Sequence, residues 1–193
     1  MNKGRVIIIS APSGCGKSTI ISALMNFDSL DLHFSVSATN RKPRVGEKHG
    51  VNYYFLETDR FKELIDKNEF VEWEEVYPGR FYGTLKREVE RIVDCGHNLI
   101  LDIDVKGGIN VKNLLKDNAL SIFIMPPSVD ELRRRLEGRA TDSADEIDRR
   151  VSKAETEIAY ASQFDHIVIN DNLDQAISQT RNLIADFIKL NQQ

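Results

Sequence analysis

An apolar run, Val6-Ile7-Ile8-Ile9, leads straight into Ser10-Ala11-Pro12-Ser13-Gly14-Cys15-Gly16-Lys17-Ser18-Thr19, and a helix-like segment, Ile20-Ile21-Ser22-Ala23-Leu24-Met25, follows. Strand, glycine-bearing loop, Lys-Ser and helix in that order constrain the chain more than any other feature, because this is the context in which a phosphate-loop spelling becomes a site. Gly14 and Gly16 let backbone N–H groups turn inward around phosphate oxygens, where a side chain would clash. The following helix aims its positive dipole end at the same place. Lys17 can reach the outer phosphates, and the Ser18 hydroxyl can take a place on Mg²⁺. Ala11 stands where the strict motif has its first glycine, a position that needs a small residue more than a positive φ. The expected ligand is a nucleoside triphosphate.

Further short apolar runs occur at residues 99–103, 120–124 and 166–169, separated by helical patterns. The clearest pattern is Leu85, Val89, Ile92 and Val93, closed by Gly96 as a C-terminal cap. Short apolar strands alternating with amphipathic helices predict an α/β fold with a parallel sheet covered by helices on both faces. Ser128-Val129-Asp130-Glu131 and Ser143-Ala144-Asp145-Glu146 read as capping boxes that start helices, and residues 174–190 should pack as a final helix. Between residues 34 and 83 the texture changes to intermingled aromatic and polar residues without long apolar strands. The expected organisation is a single domain: a core of residues 1–33, 84–127 and 160–193, an inserted small mixed α/β lobe at 34–83 of short strands, and a helical lid at 128–159.

No apolar run approaches the roughly 20 residues that span a bilayer, and no signal peptide is evident, so no membrane partner is expected. Two cysteines, Cys15 and Cys95, give no disulfide framework and suit a reducing cytoplasm. A net charge of −4 argues against a nucleic-acid partner, which would need a basic footprint. The positive charge is nevertheless clustered, in Arg41, Lys42 and Arg44 and again in Arg133, Arg134, Arg135, Arg139, Arg149 and Arg150. Charge runs are usually solvated helix faces, but a phosphoryl-transfer site needs cations on more than one side. The four histidines, His33, His49, His97 and His166, are scattered along the chain and read as surface or core residues rather than ligands.

Leu99-Ile100-Leu101-Asp102-Ile103-Asp104 is an apolar strand ending in two acidic residues. Beside a phosphate loop, such an acid can hold the metal directly or through water, and Asp102 is the better candidate. Arg41 and Arg44 flank Pro43, which stiffens the turn, and two guanidinium forks can grip one terminal phosphate bidentately.

The run Ser35-Val36-Ser37-Ala38-Thr39-Asn40-Arg41-Lys42-Pro43-Arg44, with Gly46-Glu47 and Tyr53-Tyr54-Phe55, resembles the nucleoside-monophosphate lobe of guanylate kinases. Glu69-Phe70-Val71-Glu72-Trp73, Tyr82-Gly83-Thr84, Leu101-Asp102-Ile103-Asp104-Val105-Lys106-Gly107, Pro126-Pro127-Ser128 and Arg135-Leu136-Glu137-Gly138-Arg139 follow in the family's order. The resemblance implies transfer of the γ-phosphoryl group of ATP to GMP, with Mg²⁺. It implies that residues 11–19 hold the ATP phosphates and that Arg41, Arg44, Tyr53 and Tyr82 hold the GMP phosphate. Glu72 and Ser37, with Gly83, Thr84, Asp102 and Asp104 nearby, would surround the GMP site and its guanine. Guanine presents N1–H and its exocyclic amine side by side, so a carboxylate accepts both, whereas adenine turns an acceptor toward it. Lys17 and Arg41 would act in catalysis, and Arg135, Arg139 and Arg150 would close over the phosphates. Ala140 stands where glycine usually follows the lid arginine, and Asn170-Asp171 matches a segment near the adenine.

Two other readings share these residues. One is a guanylate-kinase-like protein-binding scaffold, which the intact Gly14, Gly16, Lys17 and Ser18 oppose. The other is a phosphate-loop kinase for another phosphorylated small molecule, which Glu72 with Ser37 and Thr84 opposes. Whether the chain is a monomer or a homo-oligomer is not legible. Cys15 is expected to be a small side chain fitted between two glycines rather than a reactive thiol.

Overall fold

The computed structural model describes residues 3–138 and 143–189; Arg139, Ala140 and Leu190 lie outside the described residues. The four apolar runs become β1 (Val6–Ser10), β7 (Asn98–Asp102), β8 (Ala119–Met125) and β9 (His166–Ile169), and with β2 (Leu32–Phe34) they form a parallel five-stranded sheet ordered β2-β7-β1-β8-β9. Successive residues of β1 face opposite layers, which is why Val6–Ile9 are all apolar. Ile7 and Ile9 join Ile20, Leu24, Ile100, Ile122, Leu132 and Ile184 on one side. Val6 and Ile8 join Val89, Ile92, Leu99, Leu101 and Val111 on the other. Helices α1 (Lys17–Leu24), α5 (Val129–Glu137), α6 (Ala144–Ile158) and α7 (Leu173–Lys189) supply the first layer, and α3 (Lys86–Asp94) and α4 (Val105–Leu115) the second.

The local signals act as the residue types dictate. Ser128 accepts the Glu131 N–H at 3.1 Å, and Ser143 accepts the Glu146 N–H at 3.3 Å, starting α5 and α6. Gly96, at φ 88°, ends α3 in the left-handed region. β2 has only one buried residue among its three and carries no apolar run, so the sequence pattern does not reveal it.

A second, four-stranded sheet is built from β3 (Ala38–Thr39), β4 (Tyr54–Phe55), β5 (Phe70–Tyr77) and β6 (Arg80–Leu85), ordered β4-β3-β6-β5, with helix α2 (Thr58–Asp66) against it. Its core is Ala38, Phe61, Leu64, Phe70, Phe81 and Leu85, with the Phe61 ring stacked on Phe70 at 4.5 Å. β5 departs from the expectation of short strands: at eight residues it is the longest strand among those described. Pairing of β2 with β7 brings two of the scattered histidines, His33 and His97, together around Asp31.

Candidate active site

The parallel register sets the floor of the site. Ile9 of β1 pairs with Asp102 of β7, so Asp102 arrives at the carboxyl end of the sheet beside the phosphate loop. There the strand order reverses around β1, the position where open α/β sheets bind ligands. Gly14 (φ 95°) and Gly16 (φ 85°) both use backbone conformations closed to most side chains, and Gly16 forms the N-cap of α1. Ala11 is buried and is not among the residues with positive φ, which accounts for its tolerance of a methyl group.

Two neighbours clamp the loop from behind. A Cβ on Gly14 would lie 2.8 Å from Leu136 Cδ2, and one on Gly16 would lie 2.5 Å from Asn170 Nδ2. Asn170, 5% exposed, donates to the Cys15 carbonyl at 2.8 Å. Cys15 itself is fully buried, and that burial pushes its thiol up to about 12. Lys17 donates to the Ile103 carbonyl at 3.2 Å and is ion-paired with Asp102. Ser13, Ser18 and Thr19 are exposed.

The cleft above this floor holds about 370 Å³ and is lined by residues 11–19, Asp102, Ile103, Asp104, Lys153 and Glu157. Lys153 and Glu157, an i,i+4 pair on α6 with 3.6 Å between Nζ and Oε1, are lining residues that the motifs did not reveal. They come from a helix remote in sequence, and their only local signal is the ordinary spacing of a surface pair. Burial raises the Glu157 carboxyl above its usual range.

On the second sheet, β5–β6 pairing sets Glu72 beside Thr84. The buried Thr84 hydroxyl donates to Glu72 Oε1 at 2.7 Å. Burial, with Asp104 nearby, raises the Glu72 carboxyl above its ordinary value. Gly83 is required between them: a Cβ there would lie 2.7 Å from the Glu72 carbonyl and 2.9 Å from Phe70 and Trp73. Ser37 lies one step beyond the Ala38–Gly83 pair, and its carbonyl accepts the Tyr54 N–H at 2.8 Å.

A second cleft of about 420 Å³ is bounded by Phe70, Glu72, Glu74, Asp104, Lys106 and Asn110, among others. Asp104 therefore lines both clefts. Its carboxylate also caps α4, accepting the Gly107 N–H at 2.7 Å. Glu74 reaches across to Asp104, and a hydrogen bond shared between the two carboxyls, then burial, pushes Glu74 up to about 7.

The cationic turn is braced by a residue whose structural role the sequence did not announce. Glu47 accepts both arms of the Arg41 guanidinium at 2.6 Å and the Arg44 N–H at 2.6 Å. Those bonds hold the Glu47 carboxyl at about 2 and raise Arg41 further. The Arg41 guanidinium lies 5.0 Å from the Tyr53 ring centre, and the Tyr53 and Tyr82 rings are 6.1 Å apart. Arg41, Tyr53 and Tyr82 are thus gathered at one place, while Arg44 is exposed beside them.

The basic helices behave differently. Arg135 donates to Glu131 at 2.8 Å and to the Asn170 carbonyl at 2.9 Å, bracing the clamp on the phosphate loop. Arg150 lies 3.7 Å from Glu146. Among the described residues, neither arginine lines the phosphate-loop cleft, and Arg139 lies outside the described residues.

Residues 3–187 match the family model described as guanylate kinase. The chain belongs to the guanylate kinase family. It is 53% identical over 184 residues to a guanylate kinase of Porphyromonas gingivalis, covering 95% of this chain and 98% of that one. With a guanylate kinase of Bacteroides fragilis it shares 52% identity over 186 residues, 96% of this chain and 91% of the relative. A crystal structure of guanylate kinase from Anaplasma phagocytophilum superposes with a TM-score of 0.71 at 30% identity, covering 97% of this chain and 88% of that one. The SH3-kinase fragment of tight junction protein 3 shares the fold alone, at TM-score 0.52 and 12% identity over 96% of this chain and 58% of that one. Family membership agrees with the α/β architecture and with a phosphate loop whose glycines, lysine and serine are all present. No helix among the described residues is long and apolar enough to cross a membrane.

Proposed function

We propose that the paired clefts joined by Asp104 are where this member of the guanylate kinase family transfers the γ-phosphoryl group of ATP to GMP, giving ADP and GDP. One observation carries the reading: the cleft that Glu72 lines, half-buried and hydrogen-bonded to the buried Thr84 hydroxyl, shares Asp104 as a wall residue with the phosphate-loop cleft. A base reader and a phosphate cradle that meet at one side chain suit two nucleotides held end to end.

On the donor side, residues 11–19 cradle the ATP phosphates through inward N–H groups and the N-terminus of α1. Lys17 moves from Asp102 to the outer phosphates, since an arriving polyanion competes with the carboxylate for it. Ser18 and Asp102 both line the floor and are exposed, which gives two oxygen donors of the kind a hard cation prefers. They would hold Mg²⁺, which neutralises phosphate charge when bound.

On the acceptor side, Arg41, Arg44, Tyr53 and Tyr82 bind the GMP phosphate. Glu72 accepts from guanine N1–H and the exocyclic amine, while Ser37 donates toward O6 and Thr84 does so once its hydroxyl proton turns from Glu72, with Gly83 and Asp104 beside them. A GMP phosphate oxygen attacks the γ-phosphorus as the bond to the β–γ bridging oxygen breaks, and ADP leaves with that oxygen. The nucleophile is already anionic, so positioning and cations do the work and no general base is needed. Arg135, Arg139 and Arg150 close over the phosphates from the segment at residues 128–159, and closure excludes water that would otherwise hydrolyse ATP. The core, lobe and lid boundaries at residues 33/34, 83/84, 127/128 and 159/160 are part of this proposal. A reducing cytoplasm fits the two free cysteines.

The test is ADP release from ATP-Mg²⁺ with GMP, AMP, CMP, UMP or no acceptor. Release that requires GMP and yields GDP supports the assignment, and equal release with every acceptor overturns it.

A further inference from the structure

At the end of the sheet opposite the phosphate loop, three side chains converge that phosphoryl transfer does not use. Asp31 precedes β2, His33 lies within it, and His97 sits in the turn between α3 and β7. His33 Nε2 lies 3.0 Å from Asp31 Oδ1, and His97 Nδ1 lies 2.8 Å from Asp31 Oδ2. The two imidazole rings are 4.1 Å apart, centre to centre, with 32° between their planes. One ligand atom from each residue can be chosen so that all three lie within 4.8 Å of one another. We propose that Asp31, His33 and His97 form a binding site for a late first-row divalent cation, with Zn²⁺ as its best-suited occupant.

The donor set argues for that class of ion. Two imidazole nitrogens and one carboxylate oxygen suit zinc and its neighbours, whereas magnesium and calcium take oxygen throughout. Zinc binds such donors at about 2.0–2.2 Å in tetrahedral geometry, which sets the ligand atoms about 3.3 Å from one another. The present separations of 3.0 and 2.8 Å run to the two different oxygens of Asp31, and one oxygen with one nitrogen from each ring lies within 4.8 Å all round, so side-chain rotation on a fixed backbone would bring the three atoms to that spacing. The cation would take the place of the protons that the imidazoles now share with Asp31. All three side chains are 44–49% exposed, so ion and water reach the site without unfolding, and water completes the coordination.

The backbone beneath the ligands is already fixed. Asp31 adopts φ 43°, and its carbonyl accepts the Asn98 N–H at 3.0 Å. The buried Asn98 side chain in turn donates to the Leu30 carbonyl at 2.8 Å and accepts the Arg5 N–H at 2.9 Å. Gly4 packs so closely on the His97 carbonyl that a Cβ there would lie 1.8 Å from it. Binding would therefore staple the start of β2, an edge strand, to the turn that leads into β7. Its direct effect is on stability at that edge and not on the distant cleft.

The experiment is a Zn²⁺ titration of the native, nucleotide-free protein after chelator treatment, followed through the imidazole proton resonances of its four histidines. The site predicts that His33 and His97 respond together and saturate at one equivalent, that His49 and His166 stay unmoved, and that Mg²⁺ produces no such response. No response, or an equal response at all four, overturns it. Asp31→Asn should weaken binding tenfold or more, since loss of even an outer-shell partner costs a metal site about 10–100-fold, while GMP-dependent ADP release is unchanged. Unaltered Zn²⁺ affinity in that variant would also remove Asp31 from the site.

Discussion

The side-chain amide of Asn170 donates to the main-chain carbonyl of Cys15 at 2.8 Å, tying the segment after β9 to the middle of the phosphate loop. The bond joins residues far apart in the chain and is itself braced by Arg135 on the Asn170 carbonyl. It fixes the loop backbone, and under the proposed function this ordering would be in place before a polyphosphate arrives.

Asn170→Ala should lower stability by about 1–3 kcal/mol, the range for leaving a buried polar group unpaired, and raise the KM for ATP more than that for GMP. Gly16→Ala should be worse for ATP, since its Cβ would meet Asn170 Nδ2 at 2.5 Å and the backbone there is at φ 85°. Denaturant melts and initial rates check both. Equal rises in the two KM values would mean that Asn170 does not shape the donor side.

Lys17→Ala should reduce kcat by about 10²–10³, the usual loss when one transition-state donor is removed, and leave GMP affinity unaltered. Lys17 starts from an ion pair with Asp102, so Asp102→Asn should release it early and change the magnesium dependence of the rate. Steady-state kinetics with GMP binding by calorimetry separate the two effects.

Glu74 gives a pH dependence of defined sign. Its hydrogen bond with Asp104 raises it from 4.5 to about 7 in the folded protein. Between those values the folded state binds more protons than the unfolded chain, so this group's contribution is favourable at low pH and is lost as pH rises toward 7. Glu74→Gln should flatten the stability profile across that window, read as the difference in urea midpoint between variant and wild type. A parallel offset at every pH would mean that the pair does not share a proton.

Cys15 and Cys95 should separate under alkylation. Cys95 is exposed, while Cys15 is fully buried with its thiol pushed up to about 12. Native protein should take up one equivalent of reagent, all of it at Cys95, with activity retained, and peroxide should spare Cys15 for the same reason. Labelling of Cys15 in folded protein, by mass mapping, would contradict its full burial.

The phosphate loop was legible because its requirements are local: Gly14 and Gly16 need positive φ, and an apolar strand and a helix must flank them. The β1, β7 and β8 runs were legible because strands buried on both faces are almost wholly apolar, and β9 because Ile167-Val168-Ile169 is apolar even though only Val168 is buried. β2 was not, because Leu32-His33-Phe34 is too short and too mixed to make an apolar run. The Asn170 clamp, the Lys153–Glu157 wall and the Asp31–His33–His97 cluster were not legible either, because each depends on which elements pack together. Glu47 stood within a quoted stretch, yet nothing local says that its carboxylate receives the Arg41 fork. Glu72 and Thr84 were brought forward by resemblance, and the register of β5 on β6 supplies the physical reason that they work as a pair.

The central claim is that Glu72 reads guanine beside the phosphate loop, and the most direct measurement is kcat/KM for GMP and for AMP in wild type and Glu72→Gln. Wild type should prefer GMP strongly, and the preference should fall by about 10–100-fold in the variant, the equivalent of about 1–3 kcal/mol for a mispaired, largely desolvated group. The KM for ATP should stay unchanged. An undiminished GMP preference, or a loss shared equally with ATP, would contradict that claim.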